Sequence, residues 1–250
     1  MKLLTWNTEG GKPFDVRSIL QKKSVDVCCL QEAGSDPWQL SDLVDDDGHP
    51  VQPSEGQLRE IRTNRGSEDY YLWYYRWSKG GKVNLAIAWK KRLFTPSDAT
   101  ELGNRLVLIG PMKPRTETRR GSRPAIGVLF PGSEVTVFSL HALAGSGGDV
   151  KHLLREITDT TLGKWIAVGD YNKDPEKTRK NLAQLAQEEE AEDEDQMRDE
   201  DDGLSASVCP PNQATHNGGQ YDYAVATAEP RFGEVQTGMT ADHFPVLYEF

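Results

Sequence analysis

Apolar residues along this chain come in short runs broken by turn-forming residues, the pattern of many strands and few helices. Lys2 to Asn7, Val25 to Leu30, Tyr70 to Trp77, Val83 to Trp89, Leu106 to Ile109, Ala125 to Phe130, Glu134 to Leu140 and Trp165 to Val168 read as strands. Tyr221 to Ala226, Phe232 to Val235 and Pro245 to Phe250 supply the later ones. Pro131-Gly132 marks the turn between two of them. Helical spacing appears over 14–23, with apolar residues at 16, 19 and 20, and over 149–162, with apolar residues at 150, 153, 154 and 157. A third helix is expected over 176–187. Residues 34–56 are turn-rich, with Asp45, Asp46, Asp47 and Gly48 as an exposed loop. Short links between several strands favour mostly antiparallel or mixed sheets in a layered α/β sandwich.

Composition narrows the picture. The 250 residues suffice for one large domain or two small ones with a substantial core. No apolar run reaches the ~18 residues of a membrane span, and MKLLTWNTEGG has no leader-like apolar stretch. An intracellular protein or a mature secreted form is expected. Three cysteines, Cys28, Cys29 and Cys209, make no disulfide framework; the adjacent pair reads as core thiols. The formal charge of -10 is local, because residues 188–202 hold eleven acids and one arginine. The rest of the chain is near neutral. The block reads as a solvated, mobile insert.

The candidate chemistry collects at strand ends, where loops carry sites. Asp170 and Asn172 follow the strand that ends at Gly169, and strict alternation would point both the same way. Alone, they read first as an Asx turn capping the strand. Asn7, Glu32 and His141 also follow strands, Asp222 opens one, and Asp242-His243 precedes the last. Hard carboxylate and amide oxygens suit Mg²⁺ beside a substrate phosphate. No Cys/His cluster has zinc spacing. Two histidines with carboxylate partners can serve as donors to a phosphate or a leaving group, so the set fits phosphate ester hydrolysis.

Assembled, these residues resemble the endonuclease/exonuclease/phosphatase (deoxyribonuclease I-like) superfamily, and within it the B subunits of cytolethal distending toxin. The matching stretches are TWNTEG at 5–10, LQEAGS at 30–35, VNLAIAW at 83–89, RPAIGV at 123–128, HALA at 141–144, GDYNKDPE at 169–176, YDYAVA at 221–226 and ADHFPV at 241–246. Their order is the family's, and they cover nearly the whole chain. The resemblance implies one domain over 1–250, a four-layer sandwich of two β-sheets flanked by helices. It also implies roles. Glu32 would be the main metal ligand, with Asn7 and Asp242 nearby; Mg²⁺ is expected, with Mn²⁺ or Ca²⁺ as substitutes. Asp170 would activate the attacking water or bind metal, and Asn172 would hold a phosphate oxygen. His141 and His243 would stabilise developing charge and move protons. Asp222 would orient His243, and Glu60, in LREIR, would orient His141. Arg123, with Lys91 and Arg92 as poorer matches, would contact the DNA backbone.

Three features depart from the family pattern: Ala241 stands where serine is usual, Tyr171 where Phe or Leu is common, and the acidic block has no counterpart. The toxin subunit's leader and its delivery subunits are not legible here, and a monomer is expected. A Mg²⁺-dependent endonuclease is the leading expectation, with Lys79, Lys82, Lys90 and the 113–123 loop adding phosphate contacts. The alternatives are a phosphatase acting on phosphoinositides or other small phosphate esters, and a non-catalytic module. Asp222-Tyr223 favours the nuclease over the inositol phosphatases, whose motif there is Cys-Asp-Arg.

Overall fold

The computed structural model describes residues 1–34, 40–44, 48–61, 69–77, 83–110, 123–145, 147–193, 206–227, 233–237 and 242–250. In chain order the elements begin β1 Lys2–Asn7, α1 Pro13–Lys23, β2 Val27–Gln31, β3 Ser41–Asp42, β4 Gln57–Ile61, β5 Tyr70–Tyr75, β6 Leu85–Lys90, α2 Ala99–Arg105 and β7 Leu106–Ile109. They continue β8 Ala125–Phe130, β9 Val135–His141, α3 Val150–Thr160, β10 Lys164–Asp170, α4 Pro175–Asp193, β11 Ser207–Cys209, β12 Asp222–Ala226, β13 Gly233–Val235 and β14 Val246–Glu249. Two sheets result. One has eight strands in the order β13-β14-β1-β2-β6-β5-β4-β3, the other six in the order β11-β12-β10-β9-β8-β7.

Burial on both faces explains why the strands read as near-continuous apolar runs. Along β1, Leu3 faces the neighbouring sheet and Leu4 and Trp6 face outward onto α1. Cys28 and Cys29 split the same way, so the adjacent thiols lie in different layers, both buried and unpaired. The layer between the sheets holds Val27, Trp73, Trp89, Val137, Ile166, Val168 and Tyr248. A third layer packs α3 and α4 on the six-stranded sheet through Leu153, Leu154, Ile157, Leu182 and Leu185. This is the four-layer α/β sandwich expected from the sequence.

One topological feature builds the cleft. β1 runs parallel to β2, and β9 parallel to β10; the other strand pairs are antiparallel. The two parallel pairs meet across the sandwich through buried polar bonds. Gln31 Nε2 donates to Ser139 Oγ at 3.0 Å, and Ser139 Oγ donates to the Leu30 carbonyl at 3.3 Å. Asn7, Gln31, His141 and Asp170 therefore finish at the same end. β12 and β14 begin at that end, since Asp170 pairs with Asp222 and Thr5 with Val246.

Some elements differ from the sequence reading. β4 was hidden because Arg59-Glu60 interrupts its apolar alternation. α2 is seven residues long, but Asp98 caps it by accepting from the Glu101 amide, while Glu101 reaches back to the Ser97 amide. The acidic block also needs correction at its start. α4 continues to Asp193, and Glu188 is tied to Lys151 and Arg155, each at 2.5 Å. Its first residues are thus helical rather than a loose insert, because α3 offers two cations to α4. Residues 194–202 and the Asp45–Asp47 loop lie outside the described residues. No described helix is long and apolar enough to cross a membrane.

Candidate active site

Asp170 is the centre of the cleft. It ends β10, nearly fully buried, and is held by groups from three directions. Its Oδ2 accepts from Asn7 Nδ2 at 3.1 Å, and its Oδ1 accepts from the Asn172 amide at 2.8 Å. His141 Nε2 lies 3.6 Å and His243 Nε2 4.0 Å from Oδ2. Asn172 does not continue the strand as alternation expects. It has φ of 47° and closes an Asx turn on Asp170, while Nδ2 donates to the Ala142 carbonyl at 3.0 Å. The turn and the site are the same object.

His243 is gripped on several sides. Its Nδ1 lies 2.8 Å from Asp222 Oδ2, and Asp222 is fully buried. Trp6 Nε1 donates to its carbonyl at 2.9 Å, and the Glu9 carboxylate accepts from the backbone amides of Asp242 and His243. Thr215 Oγ1 accepts from the amides of Tyr221 and Asp222 at 3.1 Å each, fixing the start of β12. Tyr171, unusual for its position, stacks on Tyr223 at 4.1 Å and donates to the Ala167 carbonyl.

The titratable groups are pushed apart. Burial raises the Asp170 carboxyl to about 7; Asp222's charge adds to this, while His243 and the bonds from Asn172 and Asn7 oppose it. Burial works against the His243 charge, yet the hydrogen bond and charge of Asp222, with Asp170 and Glu9, raise the ring to about 9. His141 goes the other way: burial, then the charges of Arg123 and His243, hold it well below the usual imidazole range. At neutral pH the cleft thus offers a cationic donor, a neutral imidazole and a carboxylate near its midpoint. That is an acid and a base within one small volume.

The sign of the His243 contribution gives a test. A folded value of about 9 lies above the ordinary imidazole value, so its stabilisation is complete below the unfolded pKa and is lost as pH rises through about 9. His243→Asn places an amide nitrogen where Nδ1 stood and keeps the Asp222 bond. The gap in thermal midpoint between wild type and this variant is expected to be widest near about pH 6 and to narrow by about pH 10. A gap that does not change with pH would show that His243 is neutral.

The other expected site residues divide. Glu32 follows β2 with φ of 48°; its carbonyl accepts from Thr8 Oγ1 and the Gly10 amide, each at 2.9 Å, and its charge acts on Arg123. Arg123 belongs to the cleft. Its amide donates to Asp149, its guanidinium is pulled down by burial, and Asp149, Asp170 and Glu32 hold it up. Asp242 is exposed at the mouth, and its described contacts are made by its backbone.

Glu60 is a correction, and Lys91 and Arg92 lie beside it, away from the cleft. Glu60 aligns through Tyr71 and Trp89 with Val27, the start of β2 rather than its end. The cleft is therefore about 16 Å away along the strand. There Glu60 binds Lys91 and Arg92 pairs with Asp26 at 2.7 Å. The acids neutralise both cations, and Glu60 does not orient His141, whose Nδ1 has no hydrogen-bond partner among the described residues. Lys79, Lys82 and residues 113–122 fall outside the described residues. Sequence reasoning missed Glu9, Asp149 and His216. Glu9 and Asp149 act on backbone amides, which leaves no motif; His216 sits five residues before Tyr221-Asp222 in a hairpin held by Thr215.

Paired imidazoles and carboxylates at the strand ends of a two-sheet sandwich define a hydrolase acting on phosphoester bonds. The chain belongs to the Endonuclease/Exonuclease/phosphatase family, whose model matches residues 4–243. Among solved structures, it is similar to the cytolethal distending toxin of Actinobacillus actinomycetemcomitans, at 24% identity and a TM-score of 0.69, over 99% of this chain and 97% of that one. It is also similar to the Haemophilus ducreyi cytolethal distending toxin, at 23% identity and a TM-score of 0.70, with the same coverage. An endonuclease/exonuclease/phosphatase family protein from Leptotrichia buccalis matches at 14% identity, with a TM-score of 0.61, over 100% of this chain and 99% of that one. No curated protein sequence matches the chain.

Asp170, Asp222 and His243 each bring a ligand atom within 4.8 Å of the others, a group able to hold a cation. Asp222 and His243 already bond to each other, however, which suits proton transfer better than a metal cage. Glu32 and Asn7 carry harder oxygen donors, of the kind a divalent cation takes.

Proposed function

We propose that the chain is a divalent-metal-dependent endonuclease that hydrolyses DNA phosphodiesters. The convergence of His141 and His243 on one Asp170 oxygen, at 3.6 and 4.0 Å, carries this reading. Glu32, with Asn7 nearby, would hold Mg²⁺, which supplies Lewis-acid polarisation of a phosphoryl oxygen when bound. Asp170, poised near neutrality, accepts a proton from the attacking water. His243, cationic and aligned by Asp222, donates to the developing charge through Nε2. Neutral His141 contacts the phosphate from the β9 side. Arg123 and Lys173 border the cleft, and their charge suits a polyanionic backbone.

Plasmid nicking tests the proposal. Supercoiled DNA should be nicked with Mg²⁺, and a chelator should abolish turnover, with restoration on adding Mg²⁺ back. Rates should fall steeply with added salt. Phosphate release from inositol lipids without nicking would replace this reading with the phosphatase one.

A further inference from the structure

His216 has no role in the chemistry above, yet its ring lies flat on His243, with centroids 4.1 Å apart and planes 11° from parallel. Its two nitrogens define its state. Nδ1 lies 3.0 Å from the Asp242 carbonyl, which only accepts, so Nδ1 carries the hydrogen. Nε2 lies 2.7 Å from the Asn217 amide nitrogen, which donates, so Nε2 presents a lone pair. The ring is thus held as one neutral tautomer. Asp222 grips the edge of His243, Glu9 and Trp6 grip its backbone, and His216 alone among the described residues stacks on a face of the ring.

We propose that His216 is a positioning residue, a neutral aromatic plate that holds the His243 imidazole in the plane from which Nε2 reaches the phosphate. The inference rests on the role proposed for His243. It differs from a loop-tether role, in which only the bond to the Asp242 carbonyl matters.

Three variants separate the two. His216→Phe keeps the plate and loses the hydrogen bond, His216→Gln keeps an N–H donor and loses the plate, and His216→Ala loses both. With Mg²⁺ and either plasmid DNA or bis(p-nitrophenyl) phosphate, Ala and Gln should lower kcat about three- to tenfold with KM unchanged. Phe should stay within about twofold of wild type. The His243 ring protons should move in the NMR spectra of Ala and Gln, as they leave the shielding of the stacked ring, and much less in Phe. Wild-type kcat in the Ala variant, or rescue by Gln and not by Phe, would overturn the plate. A wild-type protein inactive on both substrates removes the phosphodiesterase reading, and full turnover by His243→Asn removes only the role of His243; either result takes this inference with it.

Discussion

His243→Asn is expected to fold normally and to lose phosphodiester turnover by about 10³-fold. The choice of asparagine matters. Alanine would leave Asp222 charged and fully buried without its partner, a change that costs about 3–5 kcal/mol and would confuse misfolding with lost chemistry. Asparagine leaves the 2.8 Å bond to Asp222 with a donor and removes only the far edge of the ring, the edge that faces Asp170. Trp6 and Glu9 still hold the backbone, because they contact main-chain atoms. Asp222→Asn should lower kcat by about 10²-fold, since the ring loses its orienter and much of its charge. The two changes together should cost little more than the first alone, because both act through one imidazole. Steady-state turnover of plasmid and of bis(p-nitrophenyl) phosphate, with circular dichroism as the control for folding, checks all three. A His243→Asn chain retaining a tenth of wild-type activity would remove His243 from the chemistry.

The sequence disclosed what repeats locally and hid what depends on the third dimension. Strands such as Val83 to Trp89 were legible because burial on both faces leaves an apolar run. Asp170, Asn172 and His243 were legible as polar residues at the ends of such runs, and family resemblance gave them roles. Glu60 failed for a geometric reason: its strand lies toward the outer edge of the eight-stranded sheet, and a short motif match cannot tell which end of a strand faces the cleft. The acids paired with Lys91 and Arg92 were not legible either, because Glu60, Asp69 and Asp26 lie 22 to 66 residues earlier in the chain. The start of the acidic block seemed solvated because its cations, Lys151 and Arg155, lie more than thirty residues earlier. Glu9 and His216 act on a loop that follows them by 26 residues or more, a distance at which spacing carries no signal.

Gly169→Ala is expected to be the most damaging single methyl among the described glycines, lowering stability by about 3 kcal/mol or more. Gly169 pairs with Leu140 where β10 runs beside β9, and a Cβ there would overlap the Leu140 carbonyl. The obstacle is backbone in the middle of a sandwich, so no rotamer change relieves it; the strands must separate. The separation would fall at the position just before Asp170 and His141, which are themselves paired in register. The same methyl therefore pulls the carboxylate away from the imidazole and from the Asn7 amide that holds it. A fall in thermal midpoint of about 6–12 °C should accompany a loss of turnover that persists well below that midpoint. Gly103→Ala is the matched control. Gly103 lies within α2 with open space around it, so its substitution should be neutral or stabilise by about 0.5–1 kcal/mol. Loss of stability in Gly169→Ala with full activity at low temperature would mean that the strands tolerate separation without moving Asp170. The close approach of β9 and β10 would then serve the core alone and not the site.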